Sequence, residues 1–430
     1  MAEIDDIRDA RYIGLHSPPK TELSQKLVHQ VIDSLKAQEQ RERARQEEVE
    51  QMFAQSVGLI LGDLLLGYQQ EGNGWSFHPL SSPSFTDLPI GYKMFRGIVK
   101  AMEQTNLIEV AKGRNHKGFE FQDGQRTYIP GLATRFRPLP SLITMANDCG
   151  LKKGEYNDHF PTQLPKKVIE VRATKKKGEG GGRKIKLPAS KRSEQLAEEV
   201  KSINDFLSSF TLANASFSGF RRIFSEGERD DFDYNLGGRL YCAGDKSYMT
   251  LSSLLRRQTL INNEKVVEID INASYLTILH GLKGNPMPER DDVYAIGGLP
   301  RDVVKKWFAI TIGVQKFHSQ WLPGNVAELS KTCLTYRPWM TVKAVQKTVL
   351  EYFPFMADWP SGEVRWSHLM FIESEIIIAT MKQMMIQHHA PAFPVHDSII
   401  VRKSDQDLAM ETLAKQFQLL TGIIPRLKVK

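Results

Sequence analysis

The stretch that decides the fold is Phe393–Val401, which reads FPVHDSIIV. Phe393 and Val395 alternate before the polar tip, and a continuous apolar run follows it. This pattern predicts two short strands that turn tightly and both pack on a core. Because an unpaired buried carboxylate is costly, an acid at such a bend suggests a working group, and Asp397 is a candidate metal ligand. The alternative is a solvent-exposed aspartate, a common turn residue.

A second acid ends another predicted strand. Val266–Leu279 reads VVEIDINASYLTIL, in which apolar residues lead up to Asp270, and an amphipathic helix is predicted over Ala273–Leu282. A strand that delivers Asp270 and a hairpin that delivers Asp397 would put two carboxylates side by side. Such a pair repels unless cations bridge it, so the predicted cofactor is Mg²⁺, as two ions, with Mn²⁺ as a substitute. Two metals held this way stabilise the attacking and leaving oxygens of a phosphoryl transfer.

The composition fits a soluble protein of two or three domains. The 430 residues are 41% apolar and 25% charged, and the net charge is +7. A basic balance favours a polyanionic partner. The three cysteines lie far apart, which argues against a zinc site or a disulfide framework. No apolar run is judged long enough to span a bilayer, and Met1–Ala10 has no signal-peptide pattern, so we expect a cytoplasmic location without membrane contact.

The first 150 residues divide into a predicted helical segment and a predicted DNA-binding domain. Residues 1–50 form a charged helical segment, and Gly91–Thr105 reads as a helix followed by a strand, a polar segment and a second strand. This order resembles the winged-helix domains of DNA-binding regulators and replication initiators, which implies such a domain over 51–150. The alternative is a winged helix used only for protein contacts. The residues implied to contact DNA are Lys93, Arg96, Lys100, Arg114 and Lys117.

The sharpest change in composition lies at Lys166–Arg192, within a predicted basic linker over 151–192. This stretch contains eleven Lys or Arg and two Glu, with the three consecutive glycines Gly180–Gly182 in its middle. It suggests a basic hairpin or a mobile arm that binds nucleic acid in a salt-sensitive way. The alternative is a solvated linker. The candidate DNA-binding residues here are Lys175, Lys176, Lys177, Arg183 and Lys184.

Two later predicted helices carry charged residues of interest. The first holds Arg301 and Lys305 four residues apart, hence on one face. Two cations on one face, downstream of a metal-binding acid, suit a triphosphate. The second, over Trp366–Gln387, holds Glu373 and Glu375. Either could be a third acid beside Asp270 and Asp397, but a position on the helix surface is favoured for both.

Five motifs follow one another along the chain: GGRLY (237–241), RR (256–257), EIDINASY (268–275), RDVVK (301–305) and VHDS (395–398). Taken in order, they resemble the palm and fingers of family A DNA polymerases and of their relatives, the single-subunit phage-type RNA polymerases. The resemblance covers about half of the chain and implies an α+β fold. Residues 193–430 would form a polymerase-type palm with an antiparallel sheet, reduced and mostly helical fingers, and a reduced thumb. A winged helix followed by such a palm also resembles proteins of phages, plasmids and integrated elements.

The resemblance also implies roles for individual residues. Asp270 and Asp397 become the catalytic metal ligands, and Ile271 lies at the metal site beside the first of them. The residues implied to hold the incoming nucleotide are Arg301, Lys305, Tyr275 and Phe308. The residues implied to contact primer and template are Arg239, Arg256, Arg257 and His396.

Two positions depart from the family A pattern. Tyr275 stands five residues after the first acid, where family A DNA polymerases have a glutamate that screens the sugar. A bulky ring at this position would exclude a 2′-hydroxyl, so Tyr275 is a candidate sugar gate. Ser398 follows the second acid, which is closer to the RNA polymerase version of the motif. The sugar of the product therefore stays open.

The resulting hypothesis is a template-directed nucleotidyltransferase that binds a DNA primer–template and nucleoside triphosphates. A rival hypothesis is a DNA-binding replication initiator or regulator with a degenerate palm. A third, a nuclease that uses the same two acids, is disfavoured because two-metal nucleases usually gather three or four carboxylates.

Overall fold

The protein is a mixed α/β chain with several sheets that divides into two compact units. Unit 1 comprises Met1–Val168, Asn214–Arg221 and Tyr241–Arg256, and unit 2 comprises Ile169–Ala213, Arg222–Leu240 and Arg257–Lys430. A computed structural model describes residues 10–39, 45–69, 74–85, 88–113, 118–122, 125–129, 132–175, 182–186, 188–243, 247–333, 337 and 339–430.

The described ranges contain helices and strands in the following order. The α-helices are α1 (Glu22–Ala37), α2 (Glu47–Gln69), α3 (Tyr92–Gln104), α4 (Pro140–Asp148), α5 (Tyr156–His159), α6 (Lys191–Ser208), α7 (Ser253–Arg256), α8 (Ser274–Leu282), α9 (Arg301–Val314), α10 (Pro323–Thr332), α11 (Val342–Tyr352), α12 (Trp366–His388) and α13 (Gln406–Thr421). The strands are β1 (Arg11–Tyr12), β2 (Ser76–His78), β3 (Ile108–Ala111), β4 (Gly118–Gln122), β5 (Gln125–Ile129), β6 (Thr134–Pro138), β7 (Ile169–Arg172), β8 (Lys184–Ile185), β9 (Leu212–Ala213), β10 (Phe220–Phe224), β11 (Gly237–Cys242), β12 (Leu260–Ile261), β13 (Glu264–Ile271), β14 (Ala392–Val395), β15 (Ser398–Arg402) and β16 (Leu427–Val429).

Unit 1 contains a four-stranded sheet in the order β1-β2-β6-β3. Strand β6 pairs antiparallel with both β2 and β3, and β1 pairs parallel with β2. The polar segment between β3 and β6 forms an antiparallel hairpin, β4–β5, which the sequence pattern did not predict. The predicted order of helix, strand, polar segment and second strand therefore appears as α3, β3, the β4–β5 hairpin and β6.

One hydrophobic core joins helices α1 to α5 of unit 1. Leu27 of α1, Ile60 and Leu64 of α2, and Phe95 of α3 are all buried in the same cluster. Helix α1 begins at a capping box in which the Thr21 side chain accepts a hydrogen bond from the Ser24 amide. The apolar stripe of α1 packs on α2, so α1, which lies within the charged segment predicted over 1–50, contributes to this core.

Helix α2 corrects the expectation that no apolar run is long enough to span a bilayer. Among the described residues, Glu47–Gln69 has the length and the composition of a helix that could cross a membrane. However, 61% of its apolar stretch is buried inside the structure. Asp63, in the middle of this helix, is itself buried and accepts a hydrogen bond of 2.6 Å from the Leu15 amide. This burial is typical of a core helix.

The main sheet of unit 2 is centred on β13. The strand order is β14-β15-β13-β12-β9, and β16 also pairs with β13. Strands β14 and β15 form the antiparallel hairpin predicted from Phe393–Val401, and β15 pairs antiparallel with β13. Helix α12 packs on α8 and α13. The described residues between α8 and α12 form helices and no strand.

The basic segment enters unit 2 as a hairpin. Strands β7 and β8 pair antiparallel, and β7 pairs parallel with β10 in a sheet of order β11-β10-β7-β8. The first limit between the units, after Val168, falls within the linker predicted over 151–192. Unit 1 also takes Asn214–Arg221 and Tyr241–Arg256, which the sequence motifs assign to the region 193–430.

The packing of α2 predicts that Gly62→Ala destabilises unit 1. A Cβ at this position would lie 2.1 Å from the Ser17 carbonyl oxygen and 2.9 Å from Phe160 Cδ1. Because the backbone must shift to make room, we expect the free energy of unfolding to fall by about 1–3 kcal/mol in denaturant titrations. Gly97→Ala in α3 is the control, since a Cβ there has no heavy atom within 4 Å, and it should stabilise the chain by roughly 0.5–1 kcal/mol. Equal effects of the two substitutions would contradict this packing.

Candidate active site

Two acids meet at one end of the β13 ladder. Asp270 is the next-to-last residue of β13 and lies opposite Ser398, the residue that follows Asp397. The Ile271 amide donates a hydrogen bond of 3.1 Å to the Asp397 carbonyl oxygen. The strand and the hairpin therefore bring Asp270 and Asp397 together, as the sequence predicts.

The backbone adopts an unusual conformation immediately before Asp397 and three residues after Asp270. Ala273, between the end of β13 and the start of α8, has a φ of +51°, and His396, before Asp397 in the hairpin turn, has a φ of +57°. Residues with a side chain rarely adopt such angles. Backbone strain of this kind occurs preferentially at functional sites.

The electrostatics of the pair favour a bound cation. Burial, the Glu373 carboxylate and the Asp270 carboxylate, in that order, raise the pKa of Asp397 to about 7. A divalent cation would stabilise the ionised form, and carboxylate oxygens are the donors that Mg²⁺ and Mn²⁺ prefer. The described residues contain no cluster of three or more metal-ligating His, Cys, Asp or Glu side chains. A pair of carboxylates still fits magnesium, which usually keeps several water or substrate ligands.

The acid pair lies in the wall of a cavity within unit 2 that has a volume of about 690 Å³. Its walls come from β13 and the start of α8, from α9, from α12, and from the residues of β16. The residues that the sequence analysis selects for a metal, nucleotide or primer role and that line this cavity are Arg239, Asp270, Ile271, Tyr275, Arg301, Lys305, Phe308 and Asp397.

Helix α9 supplies the cations of one wall. Arg301 and Lys305 lie on the face of α9 that borders the cavity, as their spacing predicts. The Arg301 guanidinium donates a hydrogen bond to the Asp292 carboxylate, an acid that also lines the cavity. Phe308 borders the cavity but is only 2% exposed, because its ring packs against Tyr294 and other aromatic side chains. It forms part of the wall and offers little free face for stacking.

Glu373 is a site residue that the sequence analysis places wrongly on a helix surface. It is 1% exposed, and its Oε1 accepts a hydrogen bond of 2.8 Å from Arg239 Nε. Its Oε2 accepts a hydrogen bond of 2.7 Å from the Ser274 hydroxyl. Arg239 Nη2 in turn donates to the Tyr275 hydroxyl at 3.3 Å. Glu373 therefore fixes Arg239 beside Tyr275 inside the cavity.

Glu375 is also not a free surface acid. It forms an ion pair with Arg222, whose side chain is fully buried. Arg222 also donates a hydrogen bond of 2.9 Å from its Nε to the Gly238 carbonyl oxygen. Glu375 therefore neutralises a buried cation, which accounts for an acid at this position.

Three predicted primer–template residues lie outside the lining of the cavity. Arg256 donates a hydrogen bond of 2.7 Å to the Leu251 carbonyl oxygen, and Arg257 is exposed. His396 is exposed at the tip of the hairpin and borders a small cleft that Arg239 also lines. Their contacts with nucleic acid stay predictions.

The predicted DNA-binding cations of α3 share one solvent-exposed face. Lys93, Arg96 and Lys100 are exposed, while Phe95 and other apolar residues of α3 are buried on the opposite side. This face is the one that the helical spacing predicts. The predicted residues Arg114, Lys117, Lys176 and Lys177 lie outside the described residues.

The basic hairpin is partly neutralised within the chain. Lys184 forms an ion pair of 3.0 Å with Glu170, a buried acid that also pairs with Arg172. Lys175 and Arg183 are exposed. Lys184 is therefore less available to phosphate groups than the sequence alone suggests, because Glu170 already holds it.

Several cavity residues escape the sequence analysis. Asp291, Asp292 and Tyr294 follow α8 in a segment without a regular apolar pattern. Lys428 and Lys430 alternate with apolar residues at 427 and 429, which is the pattern of a strand with one charged face. That alternation was the one available signal for these two cations.

Comparison with solved structures finds distant structural neighbours of this chain. No protein-family model and no curated protein matches the chain. A solved structure, the POL domain of Pol1 from M. smegmatis in complex with DNA primer-template and dNTP, is similar with a TM-score of 0.29 and 10% sequence identity. The similarity covers 96% of this chain and 66% of that one, so this chain spans just under two thirds of the neighbour's length. A TM-score this low does not establish a shared fold.

The raised pKa of Asp397 predicts how stability depends on pH when no metal is bound. A pKa of about 7 in the folded state, against 3.8 as the ordinary value, means that stability is lost as the pH rises from 3.8 to about 7 and that the loss levels off above the folded pKa. Between pH 6 and pH 8 in EDTA, this group should cost about 1.4 kcal/mol of the free energy of unfolding. Denaturant titrations at the two pH values measure the loss.

Asp397→Asn is expected to flatten this pH dependence, because the amide does not titrate. Asp407→Asn is the matched control, since Asp407 is an exposed acid on α13 that does not line the cavity. A pH dependence of equal size in the Asp397→Asn variant would contradict the assignment.

Proposed function

We propose that the protein is a template-directed nucleotidyltransferase that adds nucleotides to the 3′-hydroxyl of a DNA primer. The observation that carries the proposal is the cavity of unit 2, because residues selected from separate motifs between 239 and 397 line it together. The order of these motifs, which resembles that of family A DNA polymerases, supports the same reading.

The charges of the cavity lining also favour this substrate class. The lining contains five acids and five cations, so its formal charge is zero when all are ionised. A nucleoside triphosphate carries about four negative charges, which two divalent cations balance. The cavity is therefore suited to a metal–nucleotide complex that is neutral as a whole. The ten charged residues are Asp270, Asp291, Asp292, Glu373, Asp397, Arg239, Arg301, Lys305, Lys428 and Lys430.

Asp270 and Asp397 would hold the divalent cations through their carboxylate oxygens, with Ile271 beside the first of them. When bound, the cations lower the pKa of the primer hydroxyl and stabilise the pyrophosphate that leaves. Arg301 and Lys305 neutralise the charge of the triphosphate and orient it. The chain thus contributes mainly position and charge to an in-line attack on the α-phosphate.

Tyr275 is the proposed sugar gate. Its hydroxyl accepts a hydrogen bond from Arg239, and Glu373 holds Arg239 in place. A ring fixed in this way resists displacement by an extra hydroxyl on the incoming sugar. We therefore propose that deoxynucleotides are preferred over ribonucleotides.

Unit 1 is proposed to bind duplex DNA as a winged helix. The support is the order of α3, β3, the β4–β5 hairpin and β6, with β6 between β2 and β3 in the sheet. The exposed cations of α3 suit phosphate groups. This contact would be salt-sensitive and largely independent of catalysis.

A second candidate function is a DNA-binding replication initiator or regulator whose palm is degenerate. Two ion pairs favour it, because Asp292 binds Arg301 and Lys430 binds Asp270. In these two pairs, Arg301 and Asp270, which a polymerase would use to bind nucleotide and metal, are already neutralised by other residues of the chain. This candidate shares the DNA-binding role of unit 1 and lacks nucleotide incorporation.

Primer extension separates the two candidates. Purified protein with a labelled primer–template and Mg²⁺ or Mn²⁺ should extend the primer with deoxynucleotides, and ribonucleotides are supplied in a separate reaction. Asp270→Asn and Asp397→Asn should each reduce extension by about 10³-fold or more, since each removes a metal ligand. Asp407→Asn is the control with an equal change of charge. Absence of extension in the unsubstituted protein, with duplex binding retained, would favour the initiator or regulator.

DNA binding tests the role of α3. The triple variant Lys93→Gln, Arg96→Gln, Lys100→Gln should bind duplex DNA more weakly. The slope of log K against log salt should become shallower by about 0.9 for each phosphate that the variant no longer neutralises. Fluorescence anisotropy at several salt concentrations measures both quantities.

The matched control removes the same charge elsewhere on unit 1. Lys20→Gln, Lys26→Gln, Lys152→Gln changes three exposed lysines outside α3. If both triple variants lose the same affinity and the same salt slope, binding is a general effect of net charge and the α3 assignment is wrong.

A further inference from the structure

Strand β16 and the residue that follows it bring two lysines to the acid pair from a side that the polymerase motifs do not include. In the antiparallel pairing of β13 and β16, Lys428 lies opposite Asp270. Lys430 continues the ladder, since its amide donates to the Glu268 carbonyl oxygen at 2.9 Å and its carbonyl accepts from the Glu268 amide. Opposite residues of a ladder share a face, so Lys428 and Lys430 lie on the face of the sheet that carries Asp270.

The Lys430 ammonium already lies where a cation would bind to Asp270, the first acid of the pair. Its Nζ lies 3.0 Å from Asp270 Oδ2, and the two side chains are 32% and 24% exposed. An ion pair with this much exposure contributes little to stability. Its location at the candidate metal ligand, within the lining of the cavity, points to a functional contact.

Lys428 differs from Lys430 in its contacts. It is exposed, it lines the same cavity, and it forms no ion pair within the part of the chain that the structure describes. Residues two apart on a strand are roughly 7 Å apart. Long lysine side chains at this spacing can contact one polyphosphate chain together, and an ammonium group offers three donors to phosphate oxygens.

We propose that Lys428 and Lys430 bind the phosphate groups of the incoming nucleotide, and that Lys430 is the counter-ion of Asp270 until a divalent cation binds there. Two cations at one carboxylate repel each other, so the ammonium and the divalent cation compete for Asp270. The released ammonium is then free to contact phosphate. This inference rests on the proposed function, because it takes the cavity as the nucleotide site.

The competition gives a test that does not depend on catalysis. Mn²⁺ binding to the full chain without nucleotide is measured by electron paramagnetic resonance. Lys430→Gln should tighten Mn²⁺ binding about threefold to tenfold, because the competing cation is gone. Lys428→Gln should change it less, since Lys430 is the lysine that pairs with Asp270. Lys403→Gln is the control, an exposed lysine that does not line the cavity.

The proposed phosphate contact predicts that the same lysine substitutions weaken nucleotide binding, which is the opposite of the change predicted for Mn²⁺ binding. Isothermal titration with a non-hydrolysable α,β-imido deoxynucleoside triphosphate, in saturating Mn²⁺, should show about fivefold to tenfold weaker binding for Lys428→Gln and for Lys430→Gln. Lys430→Arg should restore most of the affinity, because it keeps the charge. Inorganic tripolyphosphate should show the same order of affinities, since the contact is to phosphate.

A merely structural lysine would not tighten metal binding and weaken nucleotide binding at once. If Lys430→Gln changes neither quantity while Asp270→Asn abolishes Mn²⁺ binding and primers are still extended by the unsubstituted protein, this inference is wrong and the proposed function stands. If Asp270→Asn leaves Mn²⁺ binding unchanged, the metal site fails, and both the proposed function and this inference are overturned.

Discussion

The repulsion between two neighbouring carboxylates is the constraint on which the cavity of unit 2 depends. Asp270 and Asp397 are brought together by the β13 ladder and the hairpin turn, and burial adds to the cost of ionising the second of them. Two cations from other elements offset this repulsion, because Arg239 acts to lower the pKa of Asp397 and Lys430 forms an ion pair with Asp270. The metal and the anion that we propose for this cavity would therefore have to replace ion pairs that the chain already makes.

The local pattern of the sequence was sufficient for the parts of this site that lie on regular elements. The alternation around His396 predicted the hairpin, and the apolar run before Asp270 predicted a strand that ends in an acid. The spacing of Arg301 and Lys305 placed both on one face of α9, which borders the cavity. In each case a period of 2.0 or 3.6 residues decides which way a side chain points, and such periods are visible in a single sequence.

The remaining parts depend on contacts between distant segments, which no local pattern encodes. The sequence of α12 has no polar stripe that would separate an exposed face from a buried one, so Glu373 was predicted to lie on the surface. In the structure Arg239 and Ser274 enclose it. Lys184 looked available to phosphate, yet Glu170 pairs with it across the hairpin. The domain limits were the least predictable feature, since the chain returns to unit 1 at Asn214 after entering unit 2.

That return has a consequence for synthesis on the ribosome. The chain changes unit after residues 168, 213, 221, 240 and 256, so unit 1 includes segments that are translated long after its first helix. Domains usually fold in order as they emerge. Here unit 1 cannot be complete until residue 256 has emerged, by which time two segments of unit 2 have also been made. A protein cut after residue 168 would lack Asn214–Arg221 and Tyr241–Arg256, so neither unit can be inherited or transferred as one uninterrupted piece of sequence.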